Sequence, residues 1–263
     1  MHKYAITRSS KPTQAQGLCG LTHCYAHSPL GCFLEKKKVK SINNYGWIFL
    51  LIAMSGDLIV SFLLSFFYKD YSNIKMSISA LGNPNSPIKI PFNIWMFFEG
   101  LLFLISLPTI YNYFKSTSPK LTVVLLIIIS VFAIGACIFT SFFSVNETKK
   151  ITTVASKIHG IGSTIGFCLF LFVPLLVSIL YFKSSENFFG TISIICFILS
   201  LIFFVLFIMS DKETFSSTVI ANEGLWQRLN LLFMYIPLCI VCLQEMRNIF
   251  LSSQGCFMLF IKL

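Results

Sequence analysis

Six apolar stretches, each long enough to cross a lipid bilayer, constrain this chain more than any other feature of its sequence. A helix rises about 1.5 Å per residue, so about 20 mostly apolar residues span a hydrocarbon core about 30 Å thick. Inside a bilayer the backbone must satisfy its own hydrogen bonds, which favours helices over strands. The six predicted spans are residues 45–68, 94–114, 121–144, 161–182, 189–210 and 229–250. The sequence therefore predicts an all-α, multi-pass integral membrane bundle of six transmembrane helices.

The composition agrees with this fold class and narrows the partners. Of the 263 residues, 56% are hydrophobic and only 11% are charged, which lies outside the range of soluble domains. The net charge of +10 is not arranged as a basic face interleaved with aromatic residues, so nucleic acid is not expected as a partner. The positive charge is better explained by membrane orientation and contact with anionic lipids. The expected environment is the lipid bilayer, and the composition leaves the oligomeric state open.

Lysines next to the first span predict the orientation. Lys36, Lys37, Lys38 and Lys40 stand immediately before it, and the positive-inside rule places such a cluster in the cytoplasm. Six crossings then return the C-terminal tail, residues 251–263, to the same side. Short cytoplasmic connectors (115–120 and 183–188) alternate with longer outer connectors (69–93, 145–160 and 211–228).

Residues 1–44 are predicted to form a cytoplasmic tail outside the six-helix domain of residues 45–250. The first 33 residues are either disordered or an extension of the gene model, with translation beginning at Leu34. This tail contains four residues of types that bind zinc, Cys19, Cys24, His27 and Cys32. Their spacing matches no standard zinc pairing, so no metal site is predicted.

Two carboxylic acids lie inside predicted spans, where ionisable groups are costly and normally face the bundle interior. Asp57 is about midway along the first span, on a small and polar stripe with Ala53, Ser61 and Ser65. Glu99 lies one to two turns into the second span. Each carboxyl group is either a functional group, such as a proton, cation or catalytic site, or a structural hydrogen-bond partner.

Two basic side chains open predicted spans at the outer surface. His159 shares a helix face with Gly162 and Gly166, a close-packing pattern that should turn it into the bundle. It is the only histidine outside the tail, which disfavours a bis-histidine haem or a multi-histidine zinc site, so no cofactor is predicted. Arg228 is expected to be either an interface anchor or a bidentate ligand for a phosphate or carboxylate.

Prolines and cysteines inside the spans are assigned to helix shape and packing. Pro108, Pro174 and Pro237 each remove a backbone hydrogen bond and predict kinks in the second, fourth and sixth spans. Cys239 and Cys242 form a C-x-x-C on an apolar helix without the strand-to-helix context of a redox motif, so we interpret them as packing residues.

The polar residues near the outer surface are predicted to form one pocket. Glu99, His159 and Arg228 are its expected members, with Asp211 and the loop 77–82 at its rim. Within that loop Ser79 is a conceivable partner for His159 in a catalytic dyad, although no spacing rule supports the pair. Since desolvation disfavours an unpaired carboxylate, Arg228 or His159 is the expected partner of Glu99.

Three sequence elements resemble those of the domain of unknown function 998 family of bacterial polytopic membrane proteins. They are Ser-Ile-Ser-Ala-Leu-Gly at 77–82 followed by Asn93, His159-Gly160, and Gly-Leu-Trp-Gln-Arg-Leu at 224–229. The chain departs from the family pattern at Ala80, where an aspartate is usual, which weakens any role for a carboxylate there. The resemblance implies a six-helix fold and a plasma-membrane location, and it implies no activity.

Three classes of function remain open at this stage. The first is a protein that binds a lipid or small ligand in a polar pocket at the extracytoplasmic end of the bundle. The second is a membrane-embedded hydrolase or transferase acting on lipid headgroups through Ser79, His159 and Arg228. The third is a small proton- or ion-coupled transporter that uses Asp57 and Glu99. Because the polar residues gather near one end and only Asp57 is central, the pattern favours a pocket over a conduit.

Overall fold

The structure is a computed structural model that describes residues 29–144 and 153–261, with side chains for 45–144 and 153–251. The candidate zinc ligands of the tail lie outside the residues whose side chains are described. Within the described ranges the chain forms helices and short helical turns without a strand. The α-helices are α1 (Pro29–Ser65), α2 (Lys89–Phe114), α3 (Pro119–Phe132), α4 (Phe139–Phe142), α5 (Val154–Phe170), α6 (Val173–Lys183), α7 (Asn187–Ser210) and α8 (Glu223–Ile261). The bundle is built from residues 38 onward.

Among the residues that the structure describes, six helical segments are long and apolar enough to cross a membrane, which confirms the predicted fold class. They are Tyr45–Ser65, Lys89–Phe114, Pro119–Phe142, Val154–Lys183, Asn187–Ser210 and Glu223–Leu251. The third span joins α3 to α4 through a π-helical turn, Ala133–Ile138. The fourth span consists of α5 followed by α6.

Several helices begin earlier than the apolar pattern predicts. The fourth span starts at Val154 instead of 161, because Thr153 and Ser156 form a reciprocal capping box at its N-terminus. The sixth span starts at Glu223 instead of 229. As a result His159 and Arg228 lie in the second turns of their helices, not at the first residues of the spans. Hydrophobicity marks the lipid-embedded part of a helix, whereas its end is determined by capping.

The connectors divide the bundle into two ends. The short-loop end carries the connectors 115–118 and 184–186, and the long-loop end carries the connectors 66–88 and 211–222 together with residues 143–144 and 153, which flank the third and fourth spans. The connector 66–88 contains a short helical turn, Ile78–Gly82. Residues 77–82, predicted to lie at the rim of a pocket, are therefore at the long-loop end.

The fourth span is interrupted at Leu171 and Phe172, and Pro174 stands in the first turn of the following helix. A kink was predicted at Pro174, and the helix is interrupted next to it, whereas Pro108 and Pro237 lie inside helices that remain continuous. The two halves of the span pack differently. Helix α6 packs along α7 and α8, while α5 packs against α3 and the π-helical turn without a comparable contact to α7. Helices α5 and α7 therefore separate toward the long-loop end.

A cluster of buried aromatic rings joins α2, α3, α5 and α8 at the centre of the bundle. Phe103 packs edge-to-face on Phe132 and Phe170, with ring centroids 5.6 and 6.1 Å away. The Phe132 and Phe170 rings lie 4.2 Å apart, and Tyr235 packs edge-to-face on Phe170 at 5.7 Å. Such pairs contribute about 0.5–1.5 kcal/mol each beyond the apolar area they bury. This cluster supports the residues that line the cavity described next.

Helix α7 is the least buried of the six spans. Its buried positions are all small: Gly190, Ser193, Cys196 and Ser200. At Gly190 an added Cβ would lie 2.8 Å from the ring of Phe182, so this glycine permits the close approach of α6. The helix is therefore attached to α6 by close backbone approach at Gly190, and its Phe203 ring stacks on Trp226 and Phe233 of α8.

Candidate ligand-binding cavity

The bundle contains a cavity of about 250 Å³ at its long-loop end. Its polar lining is Asp57, Ser77, Ser79, Glu99, Thr140, His159, Ser163, Thr164, Glu223 and Gln227. The remaining lining is apolar and largely aromatic, with phenylalanines from α2, α3, α5 and α7. Ligand pockets of about 300–1,000 Å³ hold drug-sized molecules, so this volume suits a small ligand or one part of a lipid.

The cavity reaches deep into the membrane-spanning region. At a rise of about 1.5 Å per residue, Asp57 lies about 12 Å from the end of the first span at Ser65. Glu99 lies about 15 Å from the start of the second span at Lys89 by the same measure. Both carboxyl groups are therefore near the middle of a hydrocarbon core about 30 Å thick.

The cavity also reaches the side of the bundle, between α5 and α7. Thr164 of α5 and Ile208 of α7 both line it, and both are exposed at the surface. The two residues lie inside membrane spans, where exposed surface faces lipid hydrocarbon. The separation of α5 from α7 thus leaves a lateral opening toward the bilayer.

The two buried carboxyl groups have different surroundings. The Asp57 side chain is 4% exposed, and its Oδ2 accepts a 2.7 Å hydrogen bond from the Tyr235 hydroxyl. Glu99 is fully buried, and its Oε1 lies 3.7 Å from the thiol of Cys137. The second oxygen of Glu99, Oε2, makes no direct hydrogen bond, although the indole N–H of Trp95, which has no other partner, lies close enough to the carboxyl group to act on it as a donor. Buried polar atoms normally have partners, so Glu99 is an exception that requires an explanation.

The π-helical turn positions Glu99 beside the third span. An added Cβ on Gly100 would lie 2.8 Å from the carbonyl oxygen of Ala133, so α2 approaches this turn closely. On the other side of the turn, an added Cβ on Gly135 would lie 2.6 Å from the carbonyl oxygen of Gly162. A π-helical turn inserts an extra residue into the helix and is common at functional sites. Here it lies between two glycine contacts and places Cys137 against the Glu99 carboxyl group.

His159 is buried at the long-loop end of α5 and lines the cavity. Its Nδ1 lies 2.7 Å from the carbonyl oxygen of Phe143. Ser79 also lines the cavity, and its hydroxyl lies 3.3 Å from that of Ser77. Within the described residues no hydrogen bond joins Ser79 to His159, so the structure does not assemble the conceivable dyad.

Arg228 lies outside the cavity, contrary to the prediction that it forms the pocket with Glu99 and His159. Its Nη1 donates to the carbonyl oxygens of Asn73 at 2.8 Å and Met76 at 3.3 Å. Its Nη2 donates to the Tyr71 hydroxyl and to Asn73 Oδ1, both at 2.8 Å. Burial raises the pKa of Tyr71, so this hydroxyl stays protonated and donates onward to the Ser77 carbonyl at 2.9 Å. The guanidinium therefore fixes the connector 66–88 instead of neutralising Glu99.

The residues preceding Arg228 contribute to the same attachment, which we call the loop clamp (residues 224–228 with 71–78). Gly224 is required because an added Cβ would lie 2.2 Å from the Met76 carbonyl oxygen. Leu225 N–H donates to the Ile74 carbonyl at 2.9 Å. Gln227 Oε1 accepts from the buried N–H of Ile78 at 2.7 Å. The glycine-leucine-x-glutamine-arginine element is thus explained by backbone contacts between α8 and one connector.

A family model described as "Protein of unknown function (DUF998)" matches residues 51–244. The chain belongs to the DUF998 family. The match covers well over half of the chain and includes every candidate site residue, and it confirms the resemblance drawn from the sequence. No curated protein and no solved structure matches the chain.

The remaining predicted site residue of this DUF998 protein, Asp211, is exposed at the C-terminus of α7 and does not line the cavity. The structure thus brings Asp57, Ser79, Glu99 and His159 to one cavity, and places Arg228 and Asp211 elsewhere. Tyr235 and Cys137, which contact the two carboxyl groups, were not among the residues predicted to form a site. Tyr235 lies seven residues after Arg228 on one helix face, but only the packing of α1 against α8 identifies its partner.

Proposed function

We propose that this protein binds an amphipathic small molecule or lipid in the cavity at the long-loop end of its bundle. The observation that carries the proposal is a fully buried Glu99 oxygen that makes no direct hydrogen bond and lines a cavity of about 250 Å³. A few polar groups converging in a mostly apolar concavity are typical of ligand sites. The lateral opening between α5 and α7 supports a ligand that is at least partly dissolved in the membrane.

The proposal includes a location and an orientation. The protein is placed in the plasma membrane with both termini in the cytoplasm, so that the long-loop end and its cavity face outward. The lysine cluster before the first span supports this orientation. Labelling with a membrane-impermeant maleimide tests it: a cysteine at the exposed position 70 reacts in intact cells, whereas one at the exposed position 116 reacts only after permeabilisation. The opposite pattern would invert the orientation.

A hydrolase or transferase acting on lipid headgroups is less well supported. Such chemistry needs a nucleophile, a base and an anion anchor that converge on one reacting atom. Ser79 and His159 share the cavity but no hydrogen bond, and the donors of Arg228 are directed to the connector 66–88. The proposed activity is therefore binding.

Ion-coupled transport is the second candidate, and one observation favours it. Asp57 and Glu99 line the same cavity near the middle of the membrane, where carboxyl groups are typical of proton and cation pathways. In reconstituted vesicles, a transporter would take up its ligand in response to an imposed pH gradient, whereas a binding protein would bind the ligand without accumulating it.

Mass spectrometry of copurified compounds tests the binding proposal. Ser163→Phe introduces a ring at a half-buried lining position of α5. Ile161→Phe is the matched control, because this nearby side chain on the same helix is 63% exposed and does not line the cavity. We expect a compound that copurifies with the wild type and the Ile161 variant and is lost from the Ser163 variant. Equal retention by both variants, or no retained compound, would refute the proposal, provided that thermal unfolding shows the variants to be folded.

A further inference from the structure

We infer that the ligand of this cavity carries a cationic amino group attached to an apolar body, with the amino group held between Glu99 and Asp57. This inference rests on the proposed function and narrows it to one chemical class. It is drawn from three features of the cavity: an acceptor without a direct hydrogen bond, the charge of the lining, and the surface onto which the cavity opens.

The acceptor is Glu99 Oε2. The side chain is fully buried and lines the cavity, and its Oε1 accepts from the weakly donating thiol of Cys137. The only side-chain donor near Oε2 among the described residues is the indole N–H of Trp95, and the two atoms form no direct hydrogen bond. An acceptor that is removed from water without a well-formed hydrogen bond is unfavourable. A ligand that donates an N–H to Oε2 corrects this deficit, and an ammonium group donates most strongly because it is charged.

The titratable side chains of the inner lining are mainly carboxylic acids. Asp57 and Glu99 supply two carboxyl groups, His159 is the one base among the described residues that line the cavity, and neither lysine nor arginine is among them. The nearest guanidinium on α8, that of Arg228, donates to the loop clamp instead. In a medium of low dielectric constant such a lining attracts a cation and repels a phosphate or carboxylate headgroup. A cationic ligand fits this lining, and an anionic ligand does not.

The walls and the opening indicate the rest of the ligand. Phe132, Phe167, Phe204 and Phe207 line the cavity around the carboxyl groups. Aromatic faces attract cations as well as apolar groups. Since the cavity opens between α5 and α7 onto surface that faces hydrocarbon, an apolar chain attached to the amine is accommodated there. The ligand could come from the bilayer, as a long-chain amine, or from water, as a small amphipathic amine.

Binding of radiolabelled dodecylamine to protein in lipid nanodiscs, with empty nanodiscs subtracted, tests the inference. Unlabelled dodecanol and dodecanoate are competitors with the same chain length and a neutral or anionic head, and sodium chloride tests for an inorganic cation. We expect unlabelled dodecylamine to displace the radiolabelled compound at concentrations at least about tenfold lower than dodecanol does. The reason is that a hydrogen bond to a charged group contributes about that factor or more to affinity. Propylamine distinguishes the sources: weak competition indicates a membrane-resident amine, and competition equal to that of dodecylamine indicates a water-soluble one.

Two substitutions locate the amino group. Glu99→Gln and Asp57→Asn each replace a carboxyl group by a neutral amide with little change in shape, and the asparagine keeps an oxygen for the Tyr235 hydroxyl. Each is expected to weaken dodecylamine binding about tenfold or more, while Asp70→Asn, an exposed control outside the cavity, leaves it unchanged. If the Glu99 variant does not fold, the Asp57 variant still tests the assignment.

The possible failures are distinguishable. Competition by dodecanol, dodecanoate or sodium as strong as that of dodecylamine would overturn the amine class, and so would unchanged binding to both carboxyl variants. In those cases Ser163→Phe still blocks the competing ligand and the cavity remains a binding site. Failure of dodecylamine, dodecanol, dodecanoate and propylamine to bind, together with no effect of Ser163→Phe on copurified compounds, would refute the proposed function as well.

Discussion

Removing the Arg228 guanidinium is predicted to release the connector 66–88 while the rest of the bundle stays folded. In Arg228→Gln the side chain is too short to reach the hydrogen-bond acceptors of that connector. Four hydrogen bonds are lost between α8 and the connector, to Asn73 O and Oδ1, Met76 O and the Tyr71 hydroxyl. Hydrogen bonds to charged groups contribute about 1.5–3 kcal/mol each, but four bonds from one half-buried group are not additive. We expect a loss of about 3–4 kcal/mol in the stability of the closed connector, or about 150- to 1,000-fold in its opening equilibrium.

Hydrogen exchange followed by mass spectrometry measures this opening directly. Peptides covering residues 71–83 should exchange faster by about that factor, because several of their amides donate to carbonyls within the same connector. Arg228→Lys keeps the charge but offers one nitrogen instead of a planar fork, so an intermediate effect is expected. Arg247→Gln is the control, since this exposed arginine lies on the same helix near the opposite end. Exchange of 71–83 within about threefold of wild type in Arg228→Gln would show that other contacts hold the connector, and the loop clamp would be refuted.

Two further predictions follow from contacts inside the bundle. Gly162→Leu should destabilise the protein by about 2–3 kcal/mol, since its Cβ would lie 2.8 Å from the Gly135 carbonyl oxygen. Gly160→Leu is the control and should leave stability nearly unchanged, because a Cβ there meets nothing within 4 Å. Equal thermal unfolding temperatures for the two variants would contradict this prediction. Tyr235→Phe should lower the free energy of unfolding by about 1–2 kcal/mol, because it removes the hydrogen bond to the buried Asp57 carboxyl group. A double-mutant cycle with Asp57→Asn should give a coupling free energy above about 0.5 kcal/mol, and a smaller value would show that the two groups do not interact as described.

The sequence predicted the six spans because length and hydrophobicity are local properties of the chain. It also predicted the polar stripe of Asp57 and the glycine face of His159, since helical periodicity determines which residues share a face. It failed at Arg228, because an arginine near a membrane end is equally suited to a lipid phosphate, a carboxylate or backbone carbonyls. Which acceptor it finds depends on the path of a connector about 150 residues away in sequence.

The cavity itself illustrates a second limit of sequence analysis. Its inner part is shaped by the π-helical turn at residues 133–138, which no local sequence pattern predicts. Its opening depends on the separation of α5 from α7, which follows from the interruption near Pro174. Proline at 108 and 237 is accommodated without such an interruption. The consequence of a membrane proline therefore depends on how the neighbouring helices pack.

The sparse burial of α7 has a consequence for how the protein assembles. Transmembrane helices associate within the bilayer after insertion, and small residues allow their backbones to approach closely. The aromatic cluster is built from α2, α3, α5 and α8, and α7 adds no large side chain to it. The aromatic core of the central helices therefore forms without α7, whereas the cavity does not, because Phe204 and Phe207 of α7 are part of its wall. We therefore expect the association of α7 with the other helices to be the step of assembly that completes the cavity.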